Sequence, residues 1–479
     1  MEFTALLVGL AAIVWVLILI QIHDVVIGAA VFLVATSVFP QEFASIEIGL
    51  TITADRLWLA VLIAQITFDL WTGRATWKPH NGADFYLFLF LAWLILRTLM
   101  SPLGTEVKGQ PSTVMHLVNG YLVPAFLYFI MRHADPKGST LKVALGVILV
   151  FGLYLSVTAV FEITKQWSLV FPSFIGDPKI GIHFGRARGP MLQSVRLGMC
   201  ISASLAVLWV FPVWLYPKRV SVWCLTLFLT PIYTVGLLLT YTRSIWMGAM
   251  AIVVILLAAM LKGKTRVATL GTLAIAGAVG GLVIGPHLVA FKREYSATET
   301  LESTKMRGAF AYVSMKMFQD KPLAGFGFNQ FQVYNRPYLD DRTTDIRLES
   351  IRGYVHHNYY LGLLVDLGLI GFILFLLATV AMLKNAWYVY SNPASSPPGR
   401  SAAVLSFCMI AVHAIQMAFH EISFSSIEYS LLMFSLGLTQ IYSHQTRQNE
   451  REKALEGTRA STVASTISSP RKNQMSAVP

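Results

Sequence analysis

Long apolar runs separated by short polar interruptions dominate the chain from end to end. They recur near 3–21, 25–39, 57–73, 84–100, 113–131, 141–162, 195–212, 221–240, 245–261, 267–285, 359–382, 402–420 and 425–442. Most are close to the length that crosses a hydrocarbon core as a helix, roughly 17–25 residues. Lipid offers the backbone no hydrogen-bond partners, so such runs cross as helices. The pattern predicts an all-α fold, a polytopic membrane bundle of about 12–13 helices. Only His23-Asp24 parts the first two runs, which leaves the count at either value. The first run has no basic flank and no small-residue cleavage site, so it reads as a retained span rather than a signal peptide.

The polar connections set an orientation. Basic residues fall at Arg74 and Lys78, at Arg132, Lys137 and Lys142, at Lys218-Arg219, at Lys262, Lys264 and Arg266, and at Lys384 and Arg400. These connections alternate correctly if all face the cytoplasm, where Lys and Arg are enriched. The tail with Arg447, Arg451, Lys453 and Arg459 falls on the same side. The expected organisation is an N-terminal transmembrane bundle over 1–284, a large outward loop over 285–358, transmembrane helices over 359–442 and a disordered basic cytoplasmic tail over 443–479. Within the loop, Met306, Phe310, Val313 and Met317 recur at helical spacing, marking an amphipathic helix on the membrane surface or the bundle. Asp320-Lys321-Pro322 ends it.

Composition agrees. Hydrophobic residues make up 55% and charged residues 13%, against about 25% charged in a soluble domain. The net charge of +12 belongs to cytoplasmic loops rather than to nucleic-acid binding, since no nucleic-acid module stands out. Cys200, Cys224 and Cys408 lie inside spans without CxxC spacing, so neither a disulfide framework nor a zinc site is indicated.

Charge buried in lipid is costly and usually functional. In the spans Asp69, Asp366 and His413 stand out, while other polar residues crowd the outward boundary. In Gly185-Arg186-Ala187-Arg188-Gly189-Pro190, an extended loop would turn both guanidiniums to one side, where forked donors suit a phosphate or pyrophosphate. The alternative is anchoring to lipid headgroups. Arg243, in Tyr241-Thr242-Arg243-Ser244, stands at the outward mouth of a hairpin. Pro322–Phe331 is glycine-rich but fits no nucleotide fingerprint, and reads as a structural turn. His356-His357-Asn358 sits where the large loop enters the next span, and a histidine there can take a proton near neutral pH. Asp366, nine residues on, would lie on the opposite face of a continuous helix and about 13 Å away, too far to orient His357.

Together these residues resemble the bacterial O-antigen ligase and polymerase superfamily, over roughly the second half of the chain. The resemblance is carried by Arg186, Thr242-Arg243-Ser244, Arg307, Pro322 with Gly325, Gly327 and Phe331, His357-Asn358 through Leu361, and Asp366, Gly368 and Gly371. It implies a metal-independent glycosyltransferase without cofactors, in the bacterial inner membrane, with its site facing the periplasm. The donor would be a glycan on polyprenyl (undecaprenyl) pyrophosphate. A ligase passes the glycan to lipid A-core, and a polysaccharide polymerase passes it to another repeat unit. By the same resemblance His357, Arg243 and Arg186 are catalytic, and Arg186, Arg188, Arg243 and Arg307 hold the donor pyrophosphate. Arg186 and Arg243 could stabilise the leaving pyrophosphate, and His357 could serve as base for the acceptor hydroxyl. No D-x-D occurs, so a metal–nucleotide-sugar site is not indicated. A flippase would call for repeated halves and a charged central path, and neither is evident.

Overall fold

The computed structural model describes residues 24–38, 45–47, 51–102, 112–136, 139–290 and 297–468. The span expected at 3–21 lies outside them. The chain forms a polytopic helical bundle: α1 Val25–Val38, α2 Ala54–Trp71, α3 Gly82–Leu99, α4 Thr113–His133, α5 Thr140–Ile163, α6 Ser194–Leu215, α7 Val220–Leu239, α8 Arg243–Met260, α9 Gly263–Ala290, α10 Ala297–Asp320, α11 Tyr359–Ser391, α12 Pro397–Phe419 and α13 Ser426–Ser468. Among the described residues, eight of these (α3 to α8, α11 and α12) are long and apolar enough to cross a membrane. A small antiparallel hairpin, β1 Ser45–Glu47 and β2 Thr51–Thr53, precedes α2 and pairs Ile46 with Ile52. A boundary drawn at Tyr442 falls inside α13, which continues to Ser468.

In lipid, helices associate through close packing and buried polar contacts rather than through hydrophobic expulsion. Small residues make the approach possible. A Cβ on Gly198 of α6 would stand 2.6 Å from the Ile245 side chain of α8, and one on Gly437 of α13 would stand 2.5 Å from Met131 of α4. The polar contacts are ion pairs that hydropathy did not reveal. Asp84 of α3 meets Arg132 of α4 at 3.0 Å, Glu162 of α5 meets Arg188 at 3.6 Å, and Arg196 of α6 meets Glu428 of α13 at 2.9 Å. Removing one partner of such a pair typically costs about 3–5 kcal/mol.

Two departures from regular helix shape the end of the bundle that carries the long loop. In α4, a π turn at Val118–Leu122 contains Gly120, whose missing side chain admits the connection between α12 and α13; a Cβ there would lie 2.0 Å from the Ser423 carbonyl oxygen. In α11 the helix breaks at Gly368, with φ 66° and ψ −169°, a region essentially reserved for glycine. The amphipathic helix is α10. It buries Phe310, Val313 and Met317 against Phe331, Leu339, Leu348, Ile351 and Val365. The loop thus has its own small core, seated on α11.

Candidate functional site

Successive spans run in opposite directions, so one face of the bundle collects the starts of α4, α6, α8, α11 and α13 with the ends of α3, α5, α7 and α12. Polar contacts tie these ends to the loops. Arg97 at the end of α3 donates to the Gly325 carbonyl at 3.1 Å, Ala187 N–H to the Leu239 carbonyl of α7 at 3.0 Å, and Asn358 Nδ2 to the Ala418 carbonyl of α12 at 3.1 Å.

The glycine-rich segment holds the break in α11 together. The Phe326 and Gly327 N–H groups donate to the Val365 and Asp366 carbonyls at 2.8 and 2.9 Å, and the Leu369 and Ile370 N–H groups donate back to Pro322 and Leu323 at 2.8 and 3.2 Å. Groups freed by the broken helix are thereby satisfied, as buried backbone requires. Gly325 must be glycine as well, since a Cβ on it would lie 2.5 Å from the Val365 carbonyl oxygen. Pro322–Phe331 is therefore the turn its sequence suggested, and it fixes the N-terminal part of α11 with the two histidines before it.

Those histidines face different surroundings. His356 is buried, its ring 3.9 Å from Phe331 and its Nε2 3.8 Å from Asp366 Oδ1. Asp366 also accepts the Asn329 N–H at 2.9 Å. Asp366 thus holds the turn through Asn329 and faces His356, at a distance beyond a hydrogen bond. The His357 ring stacks on Phe310 of α10 at 4.8 Å and 15°, and its Nδ1 lies 3.0 Å from the Val355 carbonyl. A carbonyl can only accept, so Nδ1 carries the proton and Nε2 keeps its lone pair. Burial lowers the His357 pKa from the usual imidazole value, the Val355 hydrogen bond opposes that, and Arg307 and His356 lower it further. The ring is accordingly neutral near pH 7.

Three of the four sequence-marked arginines gather around this end. Arg243 is the first residue of α8, where the helix dipole favours an anion and disfavours a cation. Arg307 lies one turn before Phe310 on α10, with its guanidinium 5.6 Å from the Phe419 ring at the end of α12. Phe419 precedes His420, whose Nε2 lies 3.0 Å from Ser244 Oγ next to Arg243, which brings both arginines to the same corner of the bundle. Burial lowers the Arg307 pKa, and the charge of Arg243 lowers it further. A helix N-terminus with two arginines beside it has the chemistry that anion sites use. Arg186 is half-buried in the segment that docks through Ala187 on the end of α7, four residues before Arg243.

Arg188 does not share this role. It is fully buried, and its guanidinium donates to the Ile175, Asp177 and Ile180 carbonyls at 2.8, 2.6 and 2.5 Å. Glu162 Oε2 in turn accepts the Arg188 and Gly189 N–H groups, both at 3.0 Å. The expectation that Arg186 and Arg188 turn to one side of an extended loop is therefore corrected. The loop is folded back on itself, with Arg188 as its internal clamp.

Sequence patterning did not single out His420 and Glu421, in the connection between α12 and α13. The signal was a short polar run between two apolar spans on the outward side. His420 Nε2 lies 3.0 Å from Ser244 Oγ, beside Arg243. Glu421 Oε1 accepts the Ser423 hydroxyl at 2.6 Å, and Ser423 Oγ lies 2.5 Å from His116 Nε2. Burial pushes the Glu421 carboxyl up to about 7. Gly362 makes room for this cluster, since a Cβ on it would lie 3.2 Å from the His356 ring and 3.5 Å from Glu421 Oε2. Among the described residues, no group of three or more His, Cys, Asp or Glu side chains is placed to hold a metal ion.

Residues 226–376 match the family model described as O-Antigen ligase. This stretch is similar to an O-antigen ligase domain. It contains Arg243, Arg307, the glycine-rich turn, both histidines and the break at Gly368, while Arg186, His420 and Glu421 lie outside it. The match supports the O-antigen ligase and polymerase superfamily, whose members are glycosyltransferase-like enzymes acting on lipid-linked glycans. No curated protein matches the chain.

Proposed function

We propose that the protein is an O-antigen ligase-type glycosyltransferase that moves a glycan from a polyprenyl-pyrophosphate donor to a lipid A-core or similar acceptor, without a metal ion. The observation that supports this reading is the pairing of two arginines, Arg243 at the start of α8 and Arg307 on α10, with a histidine whose Nε2 lone pair is kept available. In the reaction, His357 Nε2 takes the proton of the acceptor hydroxyl. The acceptor oxygen bonds to the anomeric carbon as the bond to the pyrophosphate oxygen breaks. The electron pair leaves with the pyrophosphate, whose growing charge Arg243, Arg307 and Arg186 stabilise. A single displacement of this kind inverts the anomeric centre.

The test is transfer from purified lipid-linked donor, with the protein in proteoliposomes. Arg243→Ala and Arg307→Ala should each reduce turnover by about 10²-fold or more, the scale of losing one charge-stabilising group. Lysine should restore part of it, because a point charge cannot reproduce the guanidinium fork. Wild-type turnover by either alanine variant at normal protein levels would remove that residue from the donor site. Transfer to lipid A-core and not to a second repeat unit marks a ligase, and the reverse marks a polymerase.

A further inference from the structure

The membrane face opposite the arginine–histidine site has a cavity of its own, of about 380 Å³, between the start of α3, the later half of α11 and α13. On α11 its wall is Leu377, Val380, Ala381 and Lys384. These positions share one helical stripe, which rises from apolar to cationic over roughly 10 Å. Tyr86 of α3 continues the apolar part, and Arg447 of α13 joins Lys384 at the mouth. The charge there is net positive. Lys384 is exposed, and among the described residues no ion pair within 4.0 Å engages it. The Arg447 guanidinium lies 5.0 Å from the Tyr388 ring centre. The acid nearby is Glu450, which takes the Tyr388 hydroxyl and accepts Asn392 Nδ2 at 2.6 Å while sensing the charge of Arg447. Two cations and one carboxylate leave a single positive charge, which a phosphodiester monoanion would balance.

We propose that this cavity binds an anionic phospholipid, with the phosphodiester between Lys384 and Arg447 and an acyl chain along Leu377, Val380 and Tyr86. Basic pockets between membrane helices recognise phosphate headgroups in this way. The amide of Asn385, which also lines the cavity, is already occupied: it accepts from Ser443 Oγ at 2.6 Å and donates to Gln440. Selectivity therefore rests on charge and on the apolar groove. The site is separate from the transfer site, since Lys384 lies 16 residues beyond the break at Gly368, about 24 Å of helix.

Binding of fluorescent phosphatidylglycerol to the full chain in neutral detergent tests the proposal, with phosphatidylcholine and inorganic phosphate as competitors. Phosphatidylglycerol should bind, and unlabelled phosphatidylglycerol alone should displace it. Lys384→Gln with Arg447→Gln, both exposed positions, should weaken binding by about 25-fold, or roughly fivefold per cation. Ala381→Trp should fill the groove and weaken binding with both cations in place. Equal competition by phosphatidylcholine would overturn the anionic headgroup, and displacement by inorganic phosphate would make this a free-phosphate site. Undiminished binding by the double glutamine variant, eluting as a single species on size exclusion, would overturn the proposal outright.

Discussion

At the scale of single residues, the site separates neighbours that the sequence presents as equivalent. His356 is buried against Phe331 and faces Asp366, whereas His357 gives its Nδ1 proton to Val355 and keeps Nε2 available. Loss of a positioned base typically costs 10²–10⁴-fold in rate. His357→Ala should therefore abolish transfer with donor binding intact, and His356→Ala should mainly lower thermal stability. The pH dependence has a definite sign. A general base acts as the neutral ring, and the His357 pKa lies below the ordinary imidazole value, so under the proposed role turnover should stay level near pH 7 and fall only as pH drops through that lowered pKa. A wild-type profile whose acid limb lies above the usual imidazole value would contradict the assignment. Arg186 and Arg188 divide in the same manner. Arg188→Ala removes the charged partner of buried Glu162, leaving it only its two backbone N–H bonds, and should cost about 3–5 kcal/mol, read as a lower unfolding temperature in detergent. Arg186→Ala should leave that temperature near wild type and slow transfer. The opposite pattern would exchange their roles.

At the scale of elements, the spans were legible because each carries its apolar signal locally. Of the candidate site, the sequence marked only residues that lie close together or stand at the edge of a span, as Arg243 and His357 do. Contacts that close through space left no such mark. Arg196 and Glu428 are separated by most of the C-terminal half of the chain, and nothing in either span announces the other. The helix assumed to run through His357 and Asp366 starts only at Tyr359, with Asn358 as its cap, so both histidines precede it and His356, not His357, comes to face Asp366. Arg188 looked like Arg186 because an extended loop was assumed where the chain folds back on Glu162. The break at Gly368 supports a prediction of its own. A Cβ at Gly368 would meet the Leu323 carbonyl oxygen at 2.3 Å with φ already at 66°. Gly368→Ala should strain the backbone by about 1–3 kcal/mol before the clash is counted, lowering the unfolding temperature and slowing transfer together. Gly371→Ala is not a suitable control, since a Cβ there would lie 2.4 Å from Leu367. Gly146→Ala is, with open space around it. Equal unfolding temperatures for Gly368→Ala and Gly146→Ala would show that the turn does not clamp the helix.

At the scale of the whole molecule, the bundle has two chemically distinct ends. One carries the long loop, the arginines and the histidines. The other carries Lys78 and Arg132, Lys384, Arg400 and Arg447 around the start of α3, the ends of α4 and α11 and the later part of α13. Short basic connections are retained on the cytoplasmic side, while long loops cross largely regardless of their charge. The predicted orientation therefore puts Lys262–Arg266 and the segment after Tyr442 inside, and the loop before Asn358 outside. That loop carries charges of both signs, including Arg342 and Arg352 beside Glu349 at 3.7 and 2.9 Å, so counting its basic residues alone would misplace it. The structure makes the two sides interdependent: α13 starts beside the site and reaches Arg447 at the far end, so one cannot be reversed without the other. Single cysteines at Ser303 and Ser461, in a background with Cys200, Cys224 and Cys408 replaced by serine, would be exposed to an impermeant thiol reagent in intact cells whose outer envelope admits it. Ser303→Cys should label at once and Ser461→Cys only after the membrane is opened. Labelling of Ser461→Cys alone in intact cells would invert the molecule, put the arginine–histidine site in the cytoplasm and remove the basis for transfer at the outer face.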